Sequence, residues 1–130
     1  MAIPTQATSG TEVLRRGSVN AQSSTDTYLK FDNTATTAAG TQSQTVPANH
    51  IVTVLNVILC EQGNASELFT MWGELGAGAR YFLNLQPLGA YKTFVWSDKI
   101  VLIGGDALRI GTGSAANIDI YYSYIDQSWV

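Results

Sequence analysis

The pattern of apolar and polar residues along the chain repeats every two positions, which is typical of β-strands. It is clearest near the C-terminus, where the apolar face of one predicted strand holds Ile118, Ile120, Tyr122 and Tyr124. Residues 51–60 differ, because they are apolar on both alternating faces apart from Thr53 and Asn56. They are also rich in β-branched side chains, so this run predicts a strand buried on both sides.

Shorter runs of the same kind cover most of the remaining chain. We expect Tyr81, Leu83 and Leu85 to share one face of their strand, because side chains two positions apart in a strand point to the same face. Gly, Pro, Asn and Asp separate the runs and indicate turns. The other predicted strands lie at residues 12–20, 28–31, 68–72, 80–85, 91–96, 100–103 and 108–110.

These signals predict an all-β fold. About eight or nine short strands separated by regular turns are typical of an antiparallel β-sandwich, and we expect one of the jelly-roll type. No long window carries the 3.6-residue period of a helix. Residues 1–10 are predicted to form an extended N-terminal arm and residues 11–130 the sandwich domain. Residues 32–44 form a low-complexity loop within that domain, and long loops of this kind are usually functional or mobile.

Composition adds one informative feature, which is a shortage of charge. Hydrophobic residues make up 45% of the chain and charged residues 13%, against the roughly 25% charged residues usual in soluble domains. Neighbouring subunits that cover the surface would explain this shortage, because charged residues are depleted at interface cores. A small neutral surface is the alternative explanation.

The net charge and the apolar runs exclude several kinds of partner. A net charge of −3 provides no basic field for nucleic acid. The apolar runs are far shorter than the roughly 20 residues that a membrane-spanning helix needs. The N-terminus lacks the basic and apolar regions of a signal peptide. We therefore expect a soluble protein that is made in a cytoplasm.

Motifs for nucleotides and calcium are unconvincing. Residues 111–116 match a G-x-G-x-x-A dinucleotide turn, but a strand is predicted after them where that turn needs a helix. The aspartates lie in separate elements, whereas a calcium loop needs closely spaced oxygen ligands. Asp98 and Asp106 are better explained as turn residues.

The residues for zinc and nucleophilic chemistry are equally sparse. His50 and Cys60 are the only residues of their types, and zinc needs three or four ligands. Cys60 is interpreted as a buried, inert thiol and His50 as a loop residue. Glu67 and Glu74 are expected to face opposite sides of a strand, although other carboxylate pairs stay open. We expect no catalytic residues, cofactor or metal, and hence no enzyme.

The aromatic residues leave two interpretations open. Trp72 and Trp96, together with the tyrosines, could stack on sugars or bases, but core and interface positions are the more usual ones in sandwiches. Trp129 stands apart because it lies next to the C-terminus. An apolar tail of this kind fits docking on its own sheet or on a neighbouring subunit.

Three segments resemble small structural proteins of tailed bacteriophages. They are TVPANH at residues 45–50 leading into a long strand, GDAL at residues 105–108, and IDIYYSY at residues 118–124. The resemblance covers roughly residues 11–126. Proteins of this type occur as capsid decoration (cement) proteins and as tail or fibre modules. The resemblance implies a jelly-roll-like sandwich, a location on the virion and an oligomer, often a trimer.

Two main hypotheses follow for function, and a small β-sandwich enzyme is a third, disfavoured one because no acid–base set is evident. The first is a decoration protein that binds the major capsid protein or other virion proteins, stabilises the shell and forms a homotrimer. Its contacts are expected to include Ile3 in the arm, Arg15, Arg16 and Trp129. The second is a tail, baseplate or fibre module that contacts host surface carbohydrate through exposed aromatic residues.

Overall fold

The computed structural model describes residues 10–22, 26–31, 45–76, 78–113 and 116–129. Most of the predicted arm, with Ile3, and the loop at residues 32–44 lie outside the described residues. The described residues form nine strands and no helix. The strands are β1 (Gly10–Gln22), β2 (Thr27–Tyr28), β3 (His50–Glu61), β4 (Glu67–Glu74), β5 (Ala79–Leu88), β6 (Thr93–Trp96), β7 (Ile100–Ile103), β8 (Ala107–Thr112) and β9 (Ile118–Trp129).

The strands form two antiparallel sheets. One has the order β1-β9-β3-β6, with β7 also paired to β3, and the other has the order β2-β8-β4-β5. Since β6 and β7 pair with opposite halves of β3, they act as one interrupted strand. The chain is then a nested hairpin in which first pairs with last, second with second-last, and so on inward. This is the jelly-roll arrangement, and the predicted fold class is confirmed.

One hydrophobic core lies between the two sheets. Phe69 in β4 contacts Phe94 in β6 across it, with ring centroids 5.2 Å apart. Alternate residues of the long central strands β3 and β9 point inward, as the period of two predicts. The fully buried side chains of this core include Val52, Val54, Val57, Leu59, Met71, Leu102, Leu108, Ile110, Ile118 and Ile120.

The structure differs from the sequence prediction at β3. Only one face of this strand is covered by the second sheet, while Ile51, Thr53, Ile58 and Cys60 on the other face are only partly buried. The prediction of a strand buried on both sides is therefore wrong for the single chain. Cys60, predicted to be buried, is likewise a half-buried free thiol on the outside of the sheet.

β5 also departs from simple alternation. Its register against β4 shifts twice, between Phe69 and Met71 and again between Met71 and Trp72. The shifts put Tyr81 opposite Trp72 on the outer surface, while Leu83 packs against the core. The prediction that Tyr81, Leu83 and Leu85 share a face is wrong, because each β-bulge inserts an unpaired residue and reverses the alternation.

Tyr122 joins the two sheets at their β1 and β2 edges. Its hydroxyl donates to the Lys30 carbonyl at 2.7 Å and accepts from the Lys30 amide at 2.8 Å. Its ring occupies the space beside Gly17, where any Cβ atom would overlap it. Phe31 packs edge-on against the same ring, with centroids 5.7 Å apart. Phe31 also packs edge-on against Tyr124, with centroids 4.9 Å apart, so two tyrosines of β9 hold the segment after β2 to the five-stranded sheet.

Replacing Tyr122 with Phe tests this connection. We expect Tyr122→Phe to lower the free energy of unfolding by about 2 kcal/mol, because the amide and carbonyl of Lys30 both lose their partner. Urea denaturation followed by circular dichroism measures the change. Tyr121→Phe, on the outer surface of the same strand, is the matched control and should stay within about 0.5 kcal/mol of wild type. Equal effects from the two variants would contradict the assigned role.

Candidate functional site

The outer surface of the five-stranded sheet is the most unusual feature of the described residues. Strand register aligns two mainly apolar rows across it, one through Ile58 and one through Ile125 and Thr53, with Ile51 and Ile103 in the row beyond the second. We call these residues, together with Trp129 at the end of β9, the apolar face. Its members are Leu14, Ile51, Ile58, Val95, Val101, Ile103, Tyr121, Ile125 and Trp129.

Several side chains of the apolar face are largely in solvent. Leu14 is 71% exposed, Val101 60%, Val95 55% and Tyr121 39%. These residues come from four different strands, so the exposure is a property of the whole sheet surface. Single exposed apolar residues are ordinary, but contiguous patches of this kind mark interaction sites.

Two pairs of polar side chains on this surface are hydrogen-bonded to each other. Between the two apolar rows, the Ser123 hydroxyl donates to the Asn56 side-chain oxygen at 3.0 Å. At the margin, the Gln127 amide donates to the Glu12 carboxylate, also at 3.0 Å. Covering the face would therefore leave these polar groups satisfied, which avoids the usual cost of burying them.

The charged residues of this surface lie at its margin. Glu12 and Arg16 belong to the edge strand β1, and Asp119 lies near the opposite end of β9. The outward positions of β3, β6 and β7 carry no charge. An apolar centre with a charged margin is the usual arrangement of a protein–protein interface.

The predicted interface residues do not all lie together. Arg16 is exposed at the margin of the apolar face, and Trp129 lies half-buried on the face itself. Trp129 is fixed in place because its amide donates to the Asn49 carbonyl at 3.2 Å. Arg15 projects from the opposite side of the sheet, and Ile3 is outside the described residues.

Arg15 instead belongs to a cluster that sequence reasoning missed. Asp126, which is 5% exposed, accepts from Arg15 Nε at 3.1 Å and is 2.6 Å from His50 Nδ1. His50, interpreted as a loop residue, in fact begins β3. A signal was present, because Asp126 continues the inward-facing alternation of Tyr122 and Tyr124 in β9. The three side chains connect β1, β3 and β9 at one end of the sheet.

Among the described residues, the His50 imidazole is hydrogen-bonded to Asp126. No hydroxyl or thiol among the described residues is hydrogen-bonded to the His50 imidazole. In the same part of the chain, no three His, Cys, Asp or Glu side chains are grouped closely enough to hold a metal ion. None of the described segments forms a helix that is long and apolar enough to cross a membrane.

Comparison with known proteins gives distant structural similarity only. No protein-family model and no curated protein matches the chain. A structure of infectious bursal disease virus Gx strain has a TM-score of 0.46 at 10% identity, covering 98% of this chain and 39% of the viral one. The T13 viral particle of that virus gives 0.41 at 9% identity, covering 90% and 36%. Eiger TNF from S. frugiperda gives 0.34 at 9% identity, covering 90% and 92%. The chain thus spans well under half the length of either viral chain.

The Asp126 cluster can be tested by removing its carboxylate. We expect Asp126→Ala to lower the free energy of unfolding by about 2 kcal/mol, because Arg15 and His50 both lose a charged hydrogen-bond partner. Chemical denaturation measures the effect. The exposed turn residue Asp98 provides a control, and Asp98→Ala should change stability by less than about 0.5 kcal/mol. A neutral Asp126→Ala variant would show that the cluster does not hold the strands together.

Proposed function

We propose that this protein is a non-catalytic structural component of a bacteriophage virion, a capsid decoration protein that assembles as a homotrimer through its apolar face. The apolar face is the single observation that carries the proposal. The resemblance of residues 45–50, 105–108 and 118–124 to phage structural proteins supports the virion setting. The shortage of charge along the whole chain supports a surface that neighbours cover.

The weak apolar–polar alternation of β3 supports the idea that the apolar face is covered in the assembled protein. Ile51, Val52 and Ile58 all lie in a run whose two faces are both apolar. A strand of an antiparallel sheet with one face in water normally alternates between apolar and polar residues. The outer face of β3 carries Ile51 and Ile58 beside Thr53 and Asn56, so it is more apolar than a water-facing strand usually is.

A second copy of this chain is the occupant that the surface fits best. The face is apolar at its centre, and its margin carries a carboxylate at Glu12 and a guanidinium at Arg16. In a trimer each contact joins two different parts of the face on neighbouring copies, and charges of both signs at its margin allow such parts to be complementary. Standard interfaces bury roughly 800 Å² on each partner, and a surface spread over β1, β3, β6, β7 and β9 offers the breadth for this.

In the proposed role, trimers bind the outer capsid surface and span the seams between subunits of the major capsid protein. Contacts of modest strength suffice, because each trimer engages several sites at once. Ile3 and Arg16 are candidates for these contacts, together with the low-complexity loop at residues 32–44. A tail, baseplate or fibre module is the alternative location on the virion.

Disrupting the centre of the apolar face should separate the subunits. We expect wild type to have three times the 14.0 kDa chain mass and the double variant Val95→Asp/Val101→Asp to be monomeric, since the variant would bury carboxylates without partners. Size-exclusion chromatography with light scattering measures the mass. Leu68→Asp, on the outer surface of the other sheet, is the control and should remain trimeric.

Cys60 gives a second readout because its free thiol lies on the same outer surface. A maleimide should react slowly with the wild-type oligomer and faster with the Val95→Asp/Val101→Asp variant. A wild-type monomer whose Cys60 reacts as fast as that of the variant would refute self-association through this face.

The location on the virion is tested separately. We expect an antibody against this chain to label the heads of intact virions in negative-stain electron microscopy, because decoration proteins lie on the outer shell. Label confined to tails would favour the tail or fibre alternative over decoration. Virions without any label would contradict both locations.

A further inference from the structure

A second surface feature lies on the opposite side of the sandwich, on the outside of the four-stranded sheet. It is an open groove of about 480 Å³, within the range of roughly 300–1,000 Å³ that is usual for small-ligand sites. Aromatic rings, neutral polar side chains and one carboxylate surround it. The lining residues used below are Asp26, Thr70, Trp72, Tyr81, Asn84 and Gly111.

Two aromatic rings form one wall of the groove. Trp72 and Tyr81 lie opposite each other on β4 and β5, with ring centroids 5.9 Å apart and planes inclined by 36°. Tyr81 is 61% exposed, whereas Trp72 is mostly buried. Arg109 holds Trp72 in place, because its guanidinium lies 5.1 Å from the Trp72 ring and 4.2 Å from that of Tyr28. The wall is therefore rigid on one side and open on the other.

Hydrogen-bonding groups face these rings. Asp26 is fixed through Oδ2, which lies 3.3 Å from Arg109 Nη2, while Oδ1 has no hydrogen-bond partner among the described residues. The exposed Asn84 amide is likewise without a partner in that part of the chain. The Thr70 hydroxyl accepts from the Leu85 amide at 3.1 Å and keeps its proton to donate. The groove thus offers acceptors and donors that are already oriented.

The backbone beside the groove contains a β-bulge and a residue with an unfavourable positive φ angle. Opposite Thr70, β5 carries two residues, Asn84 and Leu85, and this bulge turns Asn84 into the groove. Leu85 has φ = 50° and is 61% exposed, so a large apolar residue adopts a left-handed conformation that it rarely takes. Strain and bulges of this kind concentrate at binding sites.

Gly111 completes the groove from below. A Cβ atom there would lie 2.6 Å from Asp26 Oδ1 and 3.3 Å from the Trp72 ring. A side chain at position 111 would have to displace the Asp26 carboxylate and crowd the indole, so glycine leaves room for both groups. The floor is therefore fitted to keep an acceptor beside an aromatic ring.

We infer that this groove binds a neutral saccharide. The apolar face of a sugar ring packs on the exposed Tyr81 ring, which Trp72 supports, and its hydroxyl groups bond with Asp26, Asn84 and Thr70. Acidic sugars and nucleic acid are disfavoured, because the Asp26 and Glu74 carboxylates flank Arg109 and offset its charge. The inference does not depend on the proposed self-assembly.

The test begins with the full-length protein on a printed glycan array that carries neutral hexose and N-acetylhexosamine oligosaccharides beside sialylated and sulfated ones. We expect signals from neutral oligosaccharides only. Isothermal titration calorimetry with the strongest of them then gives the affinity. Tyr81→Ala should weaken binding by about tenfold, because the exposed half of the stacking wall is lost. Asn84→Ala should weaken it in the same direction.

Tyr91→Ala is the matched control, because Tyr91 is 69% exposed and lies outside the groove. The affinity of this variant for the oligosaccharide should stay within about twofold of wild type. The Val95→Asp/Val101→Asp variant should also bind the same oligosaccharide with unchanged single-site affinity, which separates this inference from the oligomer. An array without neutral hits, hits restricted to acidic glycans, or a Tyr81→Ala variant with wild-type affinity would each overturn the inference.

Discussion

The hydrogen bonds between the Tyr122 hydroxyl and both backbone groups of Lys30 are the constraint on which much of this fold depends. Tyr122 belongs to β9, the second strand of its sheet, and Lys30 follows β2 at the edge of the other sheet. Apolar packing between the two sheets, such as Phe69 against Phe94, is strong but not directional. A polar contact of defined geometry therefore sets how the sheets meet at this edge. Gly17 is the residue that makes room for it.

The outer faces of the two sheets differ in how their apolar side chains are covered. Once the inner faces of the two sheets are packed together, the outer face of each sheet remains in solvent. On the four-stranded sheet, Arg109 pairs with Glu74 at 2.7 Å and occupies the space between aromatic rings. At the centre of the five-stranded sheet none of the described residues places a charged side chain over the surface, and Val95 and Val101 are largely exposed. The two outer surfaces are therefore suited to different kinds of partner.

The sequence predicts the fold well wherever short-range periodicity determines structure. The alternation from Ile118 to Tyr124 and the β-branched run from Ile51 identify the two central strands, because each residue's orientation follows from its neighbour. Asp106 was also placed correctly in a turn, where its carboxylate accepts from the Ile103 amide at 3.0 Å.

Periodicity does not predict the orientation or clustering of side chains where these depend on contacts between residues distant in the sequence. The bulges in β5 reverse the faces of Tyr81 and Leu83, and only pairing with β4 reveals them. Asp126 meets Arg15 and His50 across separations of 111 and 76 residues. The groove similarly combines Asp26, Trp72 and Gly111, which no local pattern connects. Trp129 was singled out for its position at the end of the chain, and the structure adds the apolar face on which it lies.

The two proposed surfaces are compatible because they lie on opposite sides of the sandwich. An oligomer joined through the apolar face would leave every copy of the Trp72–Tyr81 groove on its outside. Shallow grooves with a few hydrogen bonds bind single sugars weakly, since little of the ligand is removed from water. Several grooves on one assembly would bind a polysaccharide far more tightly than one groove does, provided that the spacing of the sugars allows simultaneous contact. Self-association through one sheet would then determine the avidity of the other, without any change in the groove itself.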